Sequence, residues 1–346
     1  MTVEEILGRR LVFTVGKGGV GRTTVTLALG LEAARRGKRV LLVELEGSHG
    51  LAHAIEAQRE ARDQPPGFDR VEHMVVDGRR ALEEYLSLIV PVRRLLRTVF
   101  SSNVYQYFVA AAPGLKELMT VGKIWYEAER KDRERAGAGS PAPDVVLVDG
   151  PATGHSLQYL RMPQAALEAF PVGLVHREAE RVLSLLRDPE ATSIVLVSTA
   201  EDMPANETRE IYAGLGELGL PRTLLVVNQV RTAPCSPVEL EAIRGAADGD
   251  TAEESSDGGR AAVITPDRLW REVRAHAEEE CTWAGIHRRN IERLASAVPL
   301  PTVEFPFLFS EEFGAEHVQH LSRVLAEQLD RPPARRRRVS TRERRP

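Results

Sequence analysis

"FTVGKGGVGRTTVTLALG", residues 13–30, decides how the rest of the chain is read. An apolar segment runs into a glycine-rich loop, and the loop runs into a helix-like pattern. That order is the context the phosphate-binding pattern G-x-x-x-x-G-K-[ST] requires. Gly16, Gly21 and Thr23 fall in their places, and Arg22 stands where the pattern has lysine. A lysine does occur in the loop, but earlier, at Lys17. The glycines Gly16, Gly18, Gly19 and Gly21, with Val20 among them, let backbone N–H groups approach phosphate oxygens without obstruction. A helix beginning at Arg22 adds the partial positive charge of its N-terminus. The Thr23 hydroxyl is placed to ligate Mg²⁺, and Thr24 to help position the loop. Arg22 is as cationic as lysine but longer and planar, and it can bind phosphate bidentately. Nucleotide binding is therefore expected to survive, while hydrolysis, which depends on placement, is expected to slow.

Outward from the loop, short apolar runs recur at 10–15, 39–45, 71–76, 144–149, 193–199 and 223–228. They are almost continuously hydrophobic, as strands buried on both faces of a parallel sheet are. Helical patterns at 22–36, 176–187 and 205–218 lie between them, with Gly37 and Gly219 as stop signals. The alternation predicts an α/β fold with a doubly wound, mostly parallel sheet. Residues 79–136 break the alternation and read as a helical insertion. It carries Tyr85, Phe100, Tyr105, Tyr107, Phe108, Trp125 and Tyr126, which either pack the insertion onto the core or line a greasy partner surface. Residues 245–260 read as a flexible loop, 266–297 as one long helix, 299–309 as a last strand and turn, and 311–329 as a closing helix.

No run of about 18 apolar residues exists, and the N-terminal MTVEEILGRR lacks the apolar stretch of a secretory signal. Cys235 and Cys281 are too few and too far apart for a disulfide framework, and read as ordinary thiols of a reducing, cytoplasmic setting. The net charge of −4 hides an asymmetry: residues 331–346 hold eight arginines and one glutamate, +7, leaving −11 on residues 1–330. That tail reads as a basic disordered end that could touch an anionic surface, nucleic acid or lipid.

"GKGGVGRTT" (16–24) resembles the deviant phosphate loop K-G-G-x-G-K-[ST] of a class of dimeric ATPases. "DVVLVDGPATGHSLQYLRMP" (144–163), "TLLVVNQV" (223–230), "STAEDMPANETREI" (198–211) and "APGLKELMTVGKIW" (112–125) narrow the resemblance to the arsenite-pump and tail-anchored-protein-targeting ATPases. The resemblance spans roughly residues 10–329 and implies an ATPase domain over 1–330 that uses ATP and Mg²⁺. It implies that Lys17 reaches a partner subunit's nucleotide and that Asp149 holds Mg²⁺ through water. His155 would sense the γ-phosphate, Asn228 would contact the base, and Pro306 would flank it. In the first switch, Glu46-Gly47-Ser48-His49 stands where the family usually has D-P-A-H, so Glu46 inherits the water-orienting role. Glu44 is a second acidic candidate, expected on the opposite face from Glu46 if the strand continues. The family's zinc clamp needs C-x-x-C, and Cys281 has no such partner in its stretch.

The resulting expectation is an ATP-hydrolysing switch acting as a homodimer, or as a heterodimer with a related ATPase subunit. Its insertion would take a hydrophobic client or membrane-protein partner, and its location would be cytoplasmic or peripheral at a membrane. Two alternatives stay open: a catalytically weak nucleotide-binding subunit, and a partitioning or positioning ATPase using the basic tail on DNA or membrane.

Overall fold

The computed structural model describes residues 2–46, 50–89, 100, 102, 114–130, 141–152, 154–248 and 266–330. Its strands are β1 (Leu11–Gly16), β2 (Val40–Leu45), β3 (Val71–Val76), β4 (Val145–Ala152), β5 (Thr192–Thr199), β6 (Leu224–Val230) and β7 (Thr302–Pro306). They form one sheet in the order β3-β2-β4-β1-β5-β6-β7, and every pairing is parallel. The helices are α1 (Val3–Leu7), α2 (Arg22–Arg35), α3 (Gly50–Glu60), α4 (Gly78–Ile89), α5 (Leu115–Glu129), α6 (Gly154–Ala169), α7 (Leu174–Arg187), α8 (Asp202–Glu217), α9 (Pro237–Asp248), α10 (Pro266–Ala297) and α11 (Ala315–Leu329).

Side chains alternate along each strand, so the unbroken apolar runs fill two cores. Val12, Leu42, Leu147, Val197 and Val226 face Leu27 of α2, Ile55 of α3 and Leu325 of α11. Phe13, Val43, Val148, Leu196 and Val227 face Ile124 of α5, Leu160 of α6, Leu186 of α7, Leu215 of α8 and Leu294 of α10. This is the doubly wound sheet that the strand–helix alternation predicts. β1 lies between β4 and β5, where the strand order reverses, and ligands of open parallel sheets bind at that crevice beyond the strand C-termini.

Gly37 and Gly219 take the left-handed backbone of helix stop residues, with φ of 87° and 69°. The helix over 266–297 forms as expected. Between 79 and 136 the described residues contain helices α4 and α5 and no strand; Tyr105, Tyr107 and Phe108 lie outside them. Phe100 packs with Leu82, Leu86, Leu115 and Met119, and Trp125 packs against the sheet core, while Tyr126 is exposed. The flexible loop expected from residue 245 is corrected at its start, because α9 continues to Asp248; residues 249–260 and the basic tail lie outside the described residues. Among the described residues no helix is long and apolar enough to cross a membrane.

Candidate functional site

The site is built at the C-terminal end of β1. A Cβ on Gly16 would collide with the Val197 carbonyl of β5, so a larger residue cannot end this strand without displacing its neighbour. Gly19 and Gly21 have φ of 86° and 87°, a left-handed backbone that turns the loop back onto α2. Val20 is buried between them and anchors the loop from below. The buried Asn228 of β6 donates its side-chain amide to the Val20 carbonyl at 2.9 Å, and Gly21 lies so close that any Cβ there would strike this amide. Asn228 thus supports the loop, and Pro306 ends β7 beside it, its Cα paired with Val230. Beneath α2, the Thr14 and Thr26 hydroxyls meet at 2.6 Å and tie the helix start to β1.

Two strand ends supply the charged floor. The Thr23 hydroxyl donates to Asp149 Oδ2 at 2.6 Å, while Asp149 Oδ1 is buried without a hydrogen-bond partner. Burial pushes the Asp149 carboxyl above the ordinary carboxylate range; the Thr23 bond and nearby Arg22 oppose that, and Glu44 adds to it. Arg22 donates through Nη1 to the Gly150 carbonyl, and burial depresses its pKa against the opposing pull of Asp149. The hydroxyl of Thr23 and the orphaned oxygen of Asp149 suit a hard, oxygen-loving cation such as Mg²⁺. Among the described residues no group of three or more His, Cys, Asp and Glu side chains could hold a metal by itself.

The expectation for Glu44 is overturned. Glu44 and Asp149 are paired across β2 and β4, and both stand on the α2 face of the sheet. Residues two apart on a strand share a face, so Glu44 was never opposite to a continuing Glu46. Glu44 is fully buried, and its carboxylate accepts from Leu51 N at 3.0 Å and Ala52 N at 3.2 Å, capping α3 where the first switch ends. His73 Nε2 lies 3.3 Å from Glu44 Oε2 but is not aligned to hydrogen-bond with it. Glu46 follows the last residue of β2, with an exposed side chain and its backbone N–H bonded to the Val76 carbonyl at 3.0 Å. Gly47, Ser48, His49 and Thr153 lie outside the described residues. His155 has its backbone in the first turn of α6, and its side chain is outside them too.

Lys17 has a partner within its own chain. Its Nζ lies 2.7 Å from Glu207 Oε1 of α8 and touches the Met203 sulfur. The loop-facing roles of Glu207, Met203 and Gly150 escape a reading by motif. Glu207 sits in "NETRE", a polar helix stretch whose facing is set only when α8 packs beside β5.

A parallel doubly wound sheet, a glycine loop leading from β1 into α2, and a Thr–Asp pair at its base define a P-loop nucleotide hydrolase. The chain belongs to the family of anion-transporting ATPases, whose profile matches residues 9–172 and 171–240. It is similar to the ATPase BagA of Mycobacterium tuberculosis, 29% identical over 330 residues that cover 93% of this chain and 94% of that protein. It is also similar to a putative arsenical pump-driving ATPase of Aquifex aeolicus, at 22% identity over 94% of this chain and 80% of that one. The ATPase get3 of Schizosaccharomyces japonicus matches at 24% identity over 67% of this chain and 79% of its own. The protein is therefore an ATPase of the P-loop class.

Proposed function

We propose that the chain is a dimeric ATP-dependent switch with one nucleotide site per subunit, in which residues 1–330 form the ATPase domain and 331–346 an appended basic tail. The observation that carries this reading is the Thr23–Asp149 pair at 2.6 Å beneath the glycine loop, with one Asp149 oxygen left over. Gly16, Gly18, Gly19, Val20 and Gly21 present backbone N–H groups to the phosphates, Thr24 steadies the loop, and Arg22 supplies charge. Thr23 and Asp149 hold Mg²⁺, the latter through water. Bound Mg²⁺ neutralises negative charge that develops on the phosphates. Glu46 orients the attacking water, and His155 senses the γ-phosphate. Asn228 offers its remaining amide positions to the base edge, which Pro306 flanks. Lys17 acts on the partner subunit's nucleotide, which requires it to leave Glu207. ATP then holds two subunits together, hydrolysis releases them, and the helical insertion over 79–136 couples that state to a hydrophobic client.

One observation favours a second reading, a catalytically weak subunit in a heterodimer with a related ATPase. The Arg22 guanidinium is engaged with the Gly150 carbonyl, so a cation that should meet phosphate has a competing acceptor in its own chain. Steady-state ATP hydrolysis by the purified chain, with Lys17→Ala and Asp149→Ala beside it and nucleotide affinity measured on the same samples, separates the two. Turnover lost in both variants supports the stand-alone ATPase. Tight ATP binding with no turnover above the variants overturns it in favour of the heterodimer.

A further inference from the structure

The chain's two cysteines lie 46 residues apart in sequence, yet their Sγ atoms are 3.9 Å apart, Cys235 in the loop after β6 and Cys281 in the middle of α10. Both are free and half-buried. A disulfide needs the sulfurs to close by roughly a further 2 Å. What distinguishes this pair from a chance encounter is how firmly both backbones are held. On one side of Cys235, Arg231 forms an ion pair with Glu280, the residue before Cys281. The Arg231 backbone N–H donates to His287 Nδ1 at 3.1 Å, nearly two turns farther along the same helix. The Arg231 guanidinium also lies over the Phe307 ring, 4.3 Å from its centroid. On the other side, Ser236 and Glu239 cap α9 reciprocally, at 2.7 and 3.3 Å, directly after Cys235. Pro234 and Pro237 further restrict the loop.

We propose that Cys235 and Cys281 form a reversible intramolecular disulfide that staples the β6–α9 loop to α10 when the protein meets a peroxide. One thiolate attacks the peroxide oxygen, giving a sulfenic acid and, for hydrogen peroxide, water. The second thiol then attacks that sulfur, the S–S bond forms, and a second water leaves. Two thiols are oxidised by two electrons and one hydrogen peroxide is reduced to two waters. A dithiol reductant reverses the step. In a reducing compartment such a bond is transient, the usual character of disulfides there.

The test is hydrogen peroxide titration of the full chain, followed by peptide mapping without reduction. The expected product is a Cys235–Cys281 cross-link within one chain, which is then lighter by two hydrogens, and the bond is reversed by dithiothreitol. Neither Cys235→Ser nor Cys281→Ser should give it. The oxidised wild type should unfold at higher temperature than the reduced form, while the Ser variants show no such rise. Separate over-oxidation of each cysteine, or links only between chains, overturns the proposal. So does a cross-linked chain that melts below the reduced one, because the bond would then form only by distorting the fold.

Discussion

Asp149→Asn should make the protein more stable and inactive at once. Asp149 is 3% exposed, and one of its carboxylate oxygens has no hydrogen-bond partner. Burial raises its pKa above that of an unfolded chain. A carboxyl shifted in that direction contributes stability below the ordinary carboxylate pKa and loses it as pH rises through the folded-state value. Once ionised, the group therefore opposes folding. Asparagine keeps an oxygen for the Thr23 hydroxyl, now bonded at 2.6 Å; it gives up the attraction to Arg22 but removes the buried charge and its repulsion of Glu44. A buried polar group without a partner costs about 1–3 kcal/mol, and more when charged; the new amide N–H₂ retains part of that, so the net gain is about 1–2 kcal/mol. Urea unfolding in buffer free of nucleotide and Mg²⁺ measures it. The gain should shrink as pH falls toward the ordinary carboxylate range, because the wild-type carboxyl is then neutral. ATP turnover should fall by about 100-fold or more, as the cation loses its anionic anchor. A variant less stable than wild type by about 1 kcal/mol at pH 7, with the same deficit in acid, refutes the reasoning; it would mean that the local field already compensates the charge.

The remaining expectations concern the residues around that floor. Arg22→Lys should raise kcat by releasing the contact with the Gly150 carbonyl, and unchanged turnover would place the limitation elsewhere. Glu44→Ala uncaps Leu51 N and Ala52 N; a loss of about 1–2 kcal/mol in urea unfolding is expected, with slower turnover from a loosened first switch. Glu207→Gln should change stability by less than about 1 kcal/mol, since the Lys17 pair is only partly buried, yet strengthen ATP-dependent self-association measured by sedimentation. Gly16→Ala should cost about 2 kcal/mol or more and abolish binding of a fluorescent ATP analogue, because its Cβ would collide with the Val197 carbonyl.

Much of this is legible in the sequence because the relevant physics is local. β1, β2 and β5 are buried along their whole length, so each appears as an uninterrupted apolar run and its bounds fall within a residue or two of expectation. The glycines of the loop announce themselves for the same reason: two need a left-handed backbone, and Gly16 has no room for a Cβ. What is hidden depends on packing between segments far apart. Glu44 looks like one of two interchangeable acids until β2 aligns with β4 and buries it against the start of α3. Glu207 becomes Lys17's partner only when α8 docks. Cys235 and Cys281 show no motif spacing, because their encounter is made by α10 folding back on the β6–α9 loop.

The loop's two cations differ in what their own chain offers them, and that difference bears on how the proposed switch would work. Lys17 pairs with Glu207 through side chains that are 24% and 29% exposed, and such a pair holds by less than about 1 kcal/mol. Arg22 is held more deeply, donating to a backbone carbonyl beside the buried Asp149. Releasing it leaves a carbonyl and a carboxylate without their cation in a low-dielectric pocket, which is costly unless phosphate and Mg²⁺ replace the charge at the same time. Arg22 should therefore respond to nucleotide within its own subunit. Lys17 needs only a better anion than Glu207, and the phosphates of a facing subunit would be one. In the dimeric reading the two cations report two separate events, nucleotide arrival and subunit closure. Substituting arginine at the position of the usual lysine then slows the first event without touching the second.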